Sequence, residues 1–295
     1  MRNPLLFPLP GNDASCERLA EILGFEAGDI EVRRFPDGES YIQYRTSPED
    51  RPVILFCSLD RPDDKFLPLI FAADAAREIG ARSVGLVVPY LAYMRQDRRF
   101  QEGEAVTSRQ FAKLLSETFD WLVTVDPHLH RYSGLNEIYS VPSSVLHAAP
   151  LLSQWIAREI GRPLLIGPDS ESEQWVASVA RQAGLPFVVL DKIRRGDRDV
   201  EVSVPEVEKW RDHTPVLVDD IISTARTMIK TVHHLRNAGM KPPVCVAIHG
   251  VFAGNADEEL RAAGAERVVT TNTIPHSSNG IDVTPLLEEG VRGCL

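Results

Sequence analysis

The chain has little sulfur and no arrangement of it that could organise a fold. Its four cysteines, Cys16, Cys57, Cys245 and Cys294, lie far apart and form no CxxC pair. That excludes a zinc knuckle and a disulfide framework and leaves buried, reduced thiols as the expectation. Long apolar runs are missing too: none approaches the roughly 20 residues that a membrane-spanning helix needs. Residues 1–11 carry one arginine and are broken by Pro4, Pro8 and Pro10, too short and too interrupted for a signal peptide. Basic residues are in deficit, 32 Lys and Arg against 42 Asp and Glu, for a formal charge of −10. Such a balance argues against a general nucleic-acid or anionic-membrane binder. A soluble cytoplasmic protein is expected, one that meets any phosphate with local basic clusters. Neither GxxxxGK[ST] nor GxGxxG occurs, so a nucleotide has to be held by something other than a Walker loop or a standard Rossmann turn.

What is present is ordinary globular material, 295 residues with 43% hydrophobic and 25% charged, enough for two domains of about 150 residues each. Short apolar runs recur at 52–57, 83–90, 120–125, 163–167, 186–190, 215–218 and 243–248, each reading as a buried strand. Segments of helical period lie between most of them, as at 66–79 and 225–238. Gly80, Gly161, Gly184 and Gly239 supply helix stops. Strands alternating with helices predict an α/β fold, each half a mostly parallel sheet flanked by helices. The alternation runs twice, and we place the boundary near 143–150, giving domains 1–145 and 146–295. Ligands in such sheets collect beyond the carboxyl ends of the strands.

The strongest chemical signal is VLVDDIISTART at 216–227, where a hydrophobic strand ends in two acidic residues and turns into a helix through hydroxyl-rich sequence. Asp219 and Asp220 can accept hydrogen bonds from vicinal ribose hydroxyls. Ser223, Thr224, Ala225, Arg226 and Thr227 form the turn whose hydroxyls and free amides can hold a phosphate. The plainer reading of an acidic pair after a strand is a helix cap. Further segments follow in order: FPDGE at 35–39, PYLAYMRQDRRF at 89–100, VDPHLH at 125–130, GPD at 167–169, DKIRR at 191–195 and TNTIP at 271–275.

Together these segments resemble the ribose-phosphate pyrophosphokinases, or PRPP synthases, over nearly the whole chain. The resemblance implies two tandem phosphoribosyltransferase-type, Rossmann-like domains, the first binding ATP and the second a ribose phosphate. It implies transfer of the β,γ-diphosphoryl group of ATP to the C1 hydroxyl of ribose 5-phosphate, giving PRPP and AMP with magnesium (Mg2+) as cofactor. Phe35, Asp37 and Glu39 match the family's adenine-recognition loop, where a ring stacks on the base and carboxylates read its amino group. That loop serves a neighbouring subunit in the family, so self-association into a dimer or hexamer is implied. Pro36 and Gly38 read equally as a simple turn. Arg95, Gln96 and Asp97 match positions that clasp ATP, whereas Arg98 and Arg99 read as a solvated charge run. His128 and Asp169 match the metal contacts; His130 reads as a supporting or surface residue. Lys192 and Arg194 match the catalytic loop that closes over the site and supplies charge as AMP leaves. The stretch 191–199 has no apolar periodicity and reads as a loop.

Two departures touch the sugar side. The family usually has an aspartate at the position of Ser223 and a glycine at that of Arg226, where a large side chain implies either backbone strain or projection toward the ligand. After Asp169 it usually has a glycine pair, where this chain has Ser170, Glu171, Ser172 and Glu173, whose carboxylates repel phosphate unless offset. A larger acceptor such as ADP-ribose, a catalytically silent associated subunit and a phosphoribosyltransferase are the competing readings. The basic and metal-binding set argues against the silent subunit, and the adenine loop against the phosphoribosyltransferase.

Overall fold

The computed structural model describes residues 3–168, 172–195, 199–203 and 207–295, with residues 174, 191–195, 199–203 and 207–208 described by backbone alone. The chain divides into two compact units, 1–147 together with 284–295, and 148–283.

The first unit opens with β1 (Leu5–Pro8), α1 (Asp13–Leu23) and the short β2 (Glu26–Ala27). A hairpin follows, β3 (Ile30–Arg34) with β4 (Ser40–Tyr44), and then β5 (Pro52–Phe56), α2 (Pro62–Ile79), β6 (Ser83–Val87), α3 (Thr107–Thr118), β7 (Trp121–Val125) and β8 (Ser143–Leu146). Its sheet has the order β2-β1-β5-β6-β7-β8, with every pairing parallel. The central strands are buried along almost their whole length, which is why they read as unbroken apolar runs rather than alternating ones. Pro62 at the first helical position, with Asp63 and Asp64 in the first turn, starts α2 a turn earlier than its apolar period predicts.

The second unit consists of α4 (Ala149–Glu159), β9 (Pro163–Gly167), α5 (Glu173–Ala183), β10 (Phe187–Val189), the hairpin β11 (Asp191–Arg195) and β12 (Asp199–Ser203), and α6 (Val207–Trp210). β13 (Thr214–Ile222), α7 (Arg226–Asn237), β14 (Val244–Gly250), α8 (Ala256–Ala262), β15 (Arg267–Thr271) and β16 (Asn279–Ile281) complete it. Its sheet, β10-β9-β13-β14-β15-β16, is again all parallel, and so repeats the first unit's strand order.

Three expectations need correction. The last helix, α9 (Thr284–Cys294), belongs with the first unit, where it packs on α1, β7 and β8, so the second domain does not run to 295. Buried Leu287, Gly290 and Val291 explain this, because they give α9 an apolar face that covers those strands. The strands 191–195 and 199–203 pair antiparallel in place of the expected loop; their sequences, DKIRR and DVEVS, are short and mostly polar and leave no helical or core signature. Finally, α4 ends at Glu159 on an extended Ile160, so Gly161 is not its stop, while Gly80, Gly184 and Gly239 do adopt positive φ at helix ends.

Candidate active site

In the first unit, site residues lie on the β3–β4 hairpin and on the loops after β6 and β7. The hairpin turn is closed by the Phe35 amide donating to the Glu39 carbonyl at 2.8 Å and the Gly38 amide donating to the Phe35 carbonyl at 2.9 Å. Gly38 sits at φ 95°, left-handed geometry that glycine alone adopts without strain. Asp37 Oδ1 accepts from the Glu39 amide at 3.2 Å, so this carboxylate also shapes the turn. Phe35 is 40% exposed and meets Tyr41 edge-on at 5.8 Å. The Arg33 guanidinium lies 4.9 Å from the Phe35 ring centre and 4.0 Å from that of Tyr41, so one side of the Phe35 ring already faces a cation.

After β6, the chain buries Leu91 and Met94 and then presents three polar residues in different ways. Arg95 is exposed, with no ion-pair or hydrogen-bond partner for its guanidinium among the described residues. Gln96 is half-buried, its carbonyl accepting from the Ser108 amide at 3.4 Å. Asp97 turns inward: its side chain is 1% exposed, and Arg131 Nη1 donates to its oxygens at 2.7 and 3.0 Å. Next door, β7 runs into Asp126 at φ 34°, then buried Pro127 and half-buried His128. The His128 and His130 rings are stacked with centres 6.1 Å apart. His147 Nδ1 lies 2.8 Å from Asp126 Oδ1, and that hydrogen bond raises the His147 pKa above its ordinary value.

In the second unit, β13 carries the acidic pair within the strand, not beyond it, since pairing with β14 continues to Ile222. Asp219 and Asp220 are half-buried there, and the Asp220 amide donates to Asp219 Oδ1 at 3.0 Å. The turn is braced from the neighbouring loop. Ile222 O accepts from the amides of Val251 and Phe252, and Ser223 O from that of Ala253, each at 3.0 Å. Ala225 takes the left-handed conformation at φ 55° just before α7, and no side chain among the described residues caps that helix. Of the two outcomes expected at Arg226, strain or projection, the strain falls one residue earlier, at Ala225, while Arg226 is the first helical residue and is exposed. Exposed Thr224 and half-buried Ser223 and Thr227 surround a helix start whose N–H groups and dipole suit an anion.

The sequence matches two family profiles, the N-terminal domain of ribose phosphate pyrophosphokinase over residues 5–118 and the phosphoribosyl transferase domain over residues 134–287. The ribose-phosphate pyrophosphokinase of Methanopyrus kandleri is 37% identical over 279 residues, 93% of this chain and 94% of that protein. The chain belongs to the ribose-phosphate pyrophosphokinase family. The Saccharolobus solfataricus protein of the same description is 33% identical over 265 residues, 88% of this chain and 89% of that one. In fold, this pyrophosphokinase chain matches the crystal structure of phosphoribosylpyrophosphate synthetase from Mycobacterium smegmatis, at TM-score 0.84 and 24% identity over 99% of both chains.

The pyrophosphokinase hairpin β11–β12 carries Lys192 opposite Val202 and Arg194 opposite Val200; their side chains lie outside the described residues, as does Asp169 altogether. No group of three or more metal-binding side chains occurs among the described residues. Magnesium carried on substrate phosphates keeps several waters and takes only one or two protein ligands; of the two residues expected to contact it, His128 is half-buried in the loop after β7 and Asp169 lies outside the described residues. Sequence reasoning passed over Arg131 and Tyr132. Their signal is spatial: Arg131 stands 34 positions from Asp97 and meets it only because β6 and β7 are paired neighbours.

Proposed function

We propose that this chain transfers the β,γ-diphosphoryl group of ATP to the C1 hydroxyl of ribose 5-phosphate, yielding PRPP and AMP. The observation that carries this reading is the cradle at 219–227: a half-buried acidic pair on β13 leading through a hydroxyl-rich turn to an uncapped α7. Asp219 and Asp220 take the ribose hydroxyls, while Ser223, Thr224, Thr227 and the amides of the turn at Ala225 and Arg226 take the 5-phosphate. Arg95, Gln96 and His128 form the triphosphate side, which buried Asp97 serves by holding its loop in place rather than by touching ATP, with Phe35 stacking on adenine and Asp37 and Glu39 reading its amino group. His128 and Asp169 are the protein contacts for magnesium, which supplies charge neutralisation on the phosphates.

In the transfer, the ribose O1 forms a bond to the β-phosphorus as the bond from that phosphorus to the α–β bridging oxygen breaks. That oxygen leaves with AMP, and the hydroxyl proton passes to solvent. Lys192 and Arg194 stabilise the charge that develops on the leaving oxygen and the migrating group. Self-association in the cytoplasm completes the reading. The self-association, though not the compartment, is supported by exposed Leu67 (56%) and Phe71 (46%), one turn apart on α2, the helix that packs against the hairpin strand β4.

The test is incubation with ATP, Mg2+ and ribose 5-phosphate, with ADP-ribose as a parallel acceptor, and chromatographic measurement of AMP and PRPP. Equal yields of AMP and PRPP, abolished by Lys192→Ala, are expected. AMP formed only with ADP-ribose would transfer the assignment to the larger acceptor, and ATP binding without AMP to a silent subunit.

A further inference from the structure

Asp97 and Arg131 form a pair whose geometry suits positioning better than ligand binding. The Asp97 side chain is 1% exposed and both of its oxygens face Arg131 Nη1, whereas the Arg131 side chain keeps 33% exposure. A carboxylate this deeply withdrawn and already engaged has little to offer a nucleotide. The next residue grips the same place from another side: Tyr132 OH donates to the Asp97 carbonyl at 3.1 Å, accepts from Arg109 Nε at 3.4 Å and lies 3.3 Å from Ser108 Oγ. Consecutive residues of the loop after β7 thus hold the side chain and the main chain of one residue of the loop after β6. On one loop, Arg95 and Gln96 immediately precede the gripped residue. On the other, His128 comes three positions before the grip. Around the grip, both segments lie outside the helices and strands, and such connecting segments move unless tied.

We propose that Arg131 is a positioning residue: with Tyr132 it clamps Asp97 and thereby fixes Arg95 and Gln96 relative to His128, setting the width of the triphosphate site. The inference rests on the reading of Arg95, Gln96 and His128 as ATP-binding residues. Both loops meet the nucleotide in the ground state as well as in transfer, so loosening the clamp weakens binding without slowing a saturated enzyme. The pair is also asymmetric to mutation. Removing Arg131 strands a buried carboxylate, whereas Asp97→Asn together with loss of Arg131 does not.

Steady-state kinetics and ATP binding of Arg131→Met, Arg131→Lys, Asp97→Asn and the Asp97→Asn/Arg131→Met double variant test it, with amide hydrogen exchange over 94–101 measured on the same proteins. Arg131→Met is expected to raise KM for ATP about tenfold while kcat and KM for ribose 5-phosphate stay within about twofold. Arg131→Lys should recover most of the loss, and the double variant should bind ATP no worse than Arg131→Met alone. Exchange over 94–101 should quicken in Arg131→Met and be restored in Arg131→Lys. Unchanged exchange and unchanged KM for ATP would overturn the clamp. So would a parallel rise in both KM values, which marks general destabilisation. Failure of the wild-type protein to bind ATP would overturn the assignment of the site, and the exchange data would still decide whether the clamp exists.

Discussion

Ala225 holds the backbone strain of the sugar-phosphate turn. At φ 55° an alanine pays for its Cβ, and at 7% exposure it has little room to relax. Glycine would remove that strain but gain freedom in the unfolded chain, so Ala225→Gly should stabilise by only about 0.5 kcal/mol in urea unfolding. Valine cannot adopt this geometry readily, and Ala225→Val should cost about 2 kcal/mol. Equal stabilities of the two variants would show that the turn is not left-handed at this position. Arg95 presents the opposite case, exposed and without a partner for its guanidinium among the described residues. Arg95→Ala should therefore leave stability within about 0.5 kcal/mol of wild type, and raise KM for ATP about tenfold if the side chain meets phosphate. A drop in urea midpoint comparable to the loss in affinity would mean that Arg95 supports the fold instead. Residue types alone told these cases apart poorly: Arg95 and Asp97 stand two positions apart in one motif, and only the folded pairing of β6 with β7 separates a free guanidinium from a buried carboxylate.

At the scale of elements, legibility followed burial. β5, β7, β9 and β14 were visible in sequence because parallel strands covered on both faces become continuous apolar runs. The two hairpins were not, because β3, β4, β11 and β12 carry charged and polar residues through most of their length and resemble loops. β1 was hidden by Pro4 and Pro8, which flank a buried Leu5–Leu6–Phe7 core strand. The acidic pair of β13 looked like a strand end, since hydrophobicity stops at Val218 although the ladder continues. Nor did α9 reveal its destination, since an amphipathic face states that it must be buried and not against what. Its packing can be tested within the helix. A Cβ on Gly290 would lie 2.7 Å from Val123 Cγ1 and 3.0 Å from Leu146 Cδ1, whereas one on Gly293 meets nothing within 4 Å. Alanine raises helix propensity at either position by up to about 1 kcal/mol, but overpacking a stiff strand valine costs about 1–3 kcal/mol. Gly290→Ala should thus destabilise by about 1 kcal/mol and Gly293→Ala should not, as read from urea midpoints. Equal effects would mean that α9 does not rest on β7 and β8.

The whole molecule is built from a repeated plan. Each unit runs strand, helix, short edge strand, hairpin, then four further parallel strands, and the two sheets share one order. The hairpin bearing Phe35 and that bearing Lys192 and Arg194 occupy equivalent places, so one structural device serves a base in one unit and a reacting phosphate in the other under the proposed function. Equivalence extends to the turn after β5, where Arg61 takes the left-handed conformation at φ 51° before α2, as Ala225 does before α7. There the turn is filled from within, since Lys65 Nζ donates to the Ser58 carbonyl at 2.8 Å and pairs with Asp60. Among the described residues, the turn before α7 has no such side chain within it, as the proposed sugar-phosphate site requires. The cover helices break the simple tandem arrangement: α4 packs on α5 and β16 in the second unit, and α9 packs on α1, β7 and β8 in the first. Each unit thus takes the helix that follows the last strand of the other. A fragment 148–283 contains its own cover helix and should unfold cooperatively in urea when expressed alone. A fragment 1–147 leaves the apolar surface of α1, β7 and β8 uncovered and should not, until residues 284–295 are fused to its end through a flexible linker. Cooperative unfolding of 1–147 without that helix would show that α9 is an accessory to the first unit rather than part of its core.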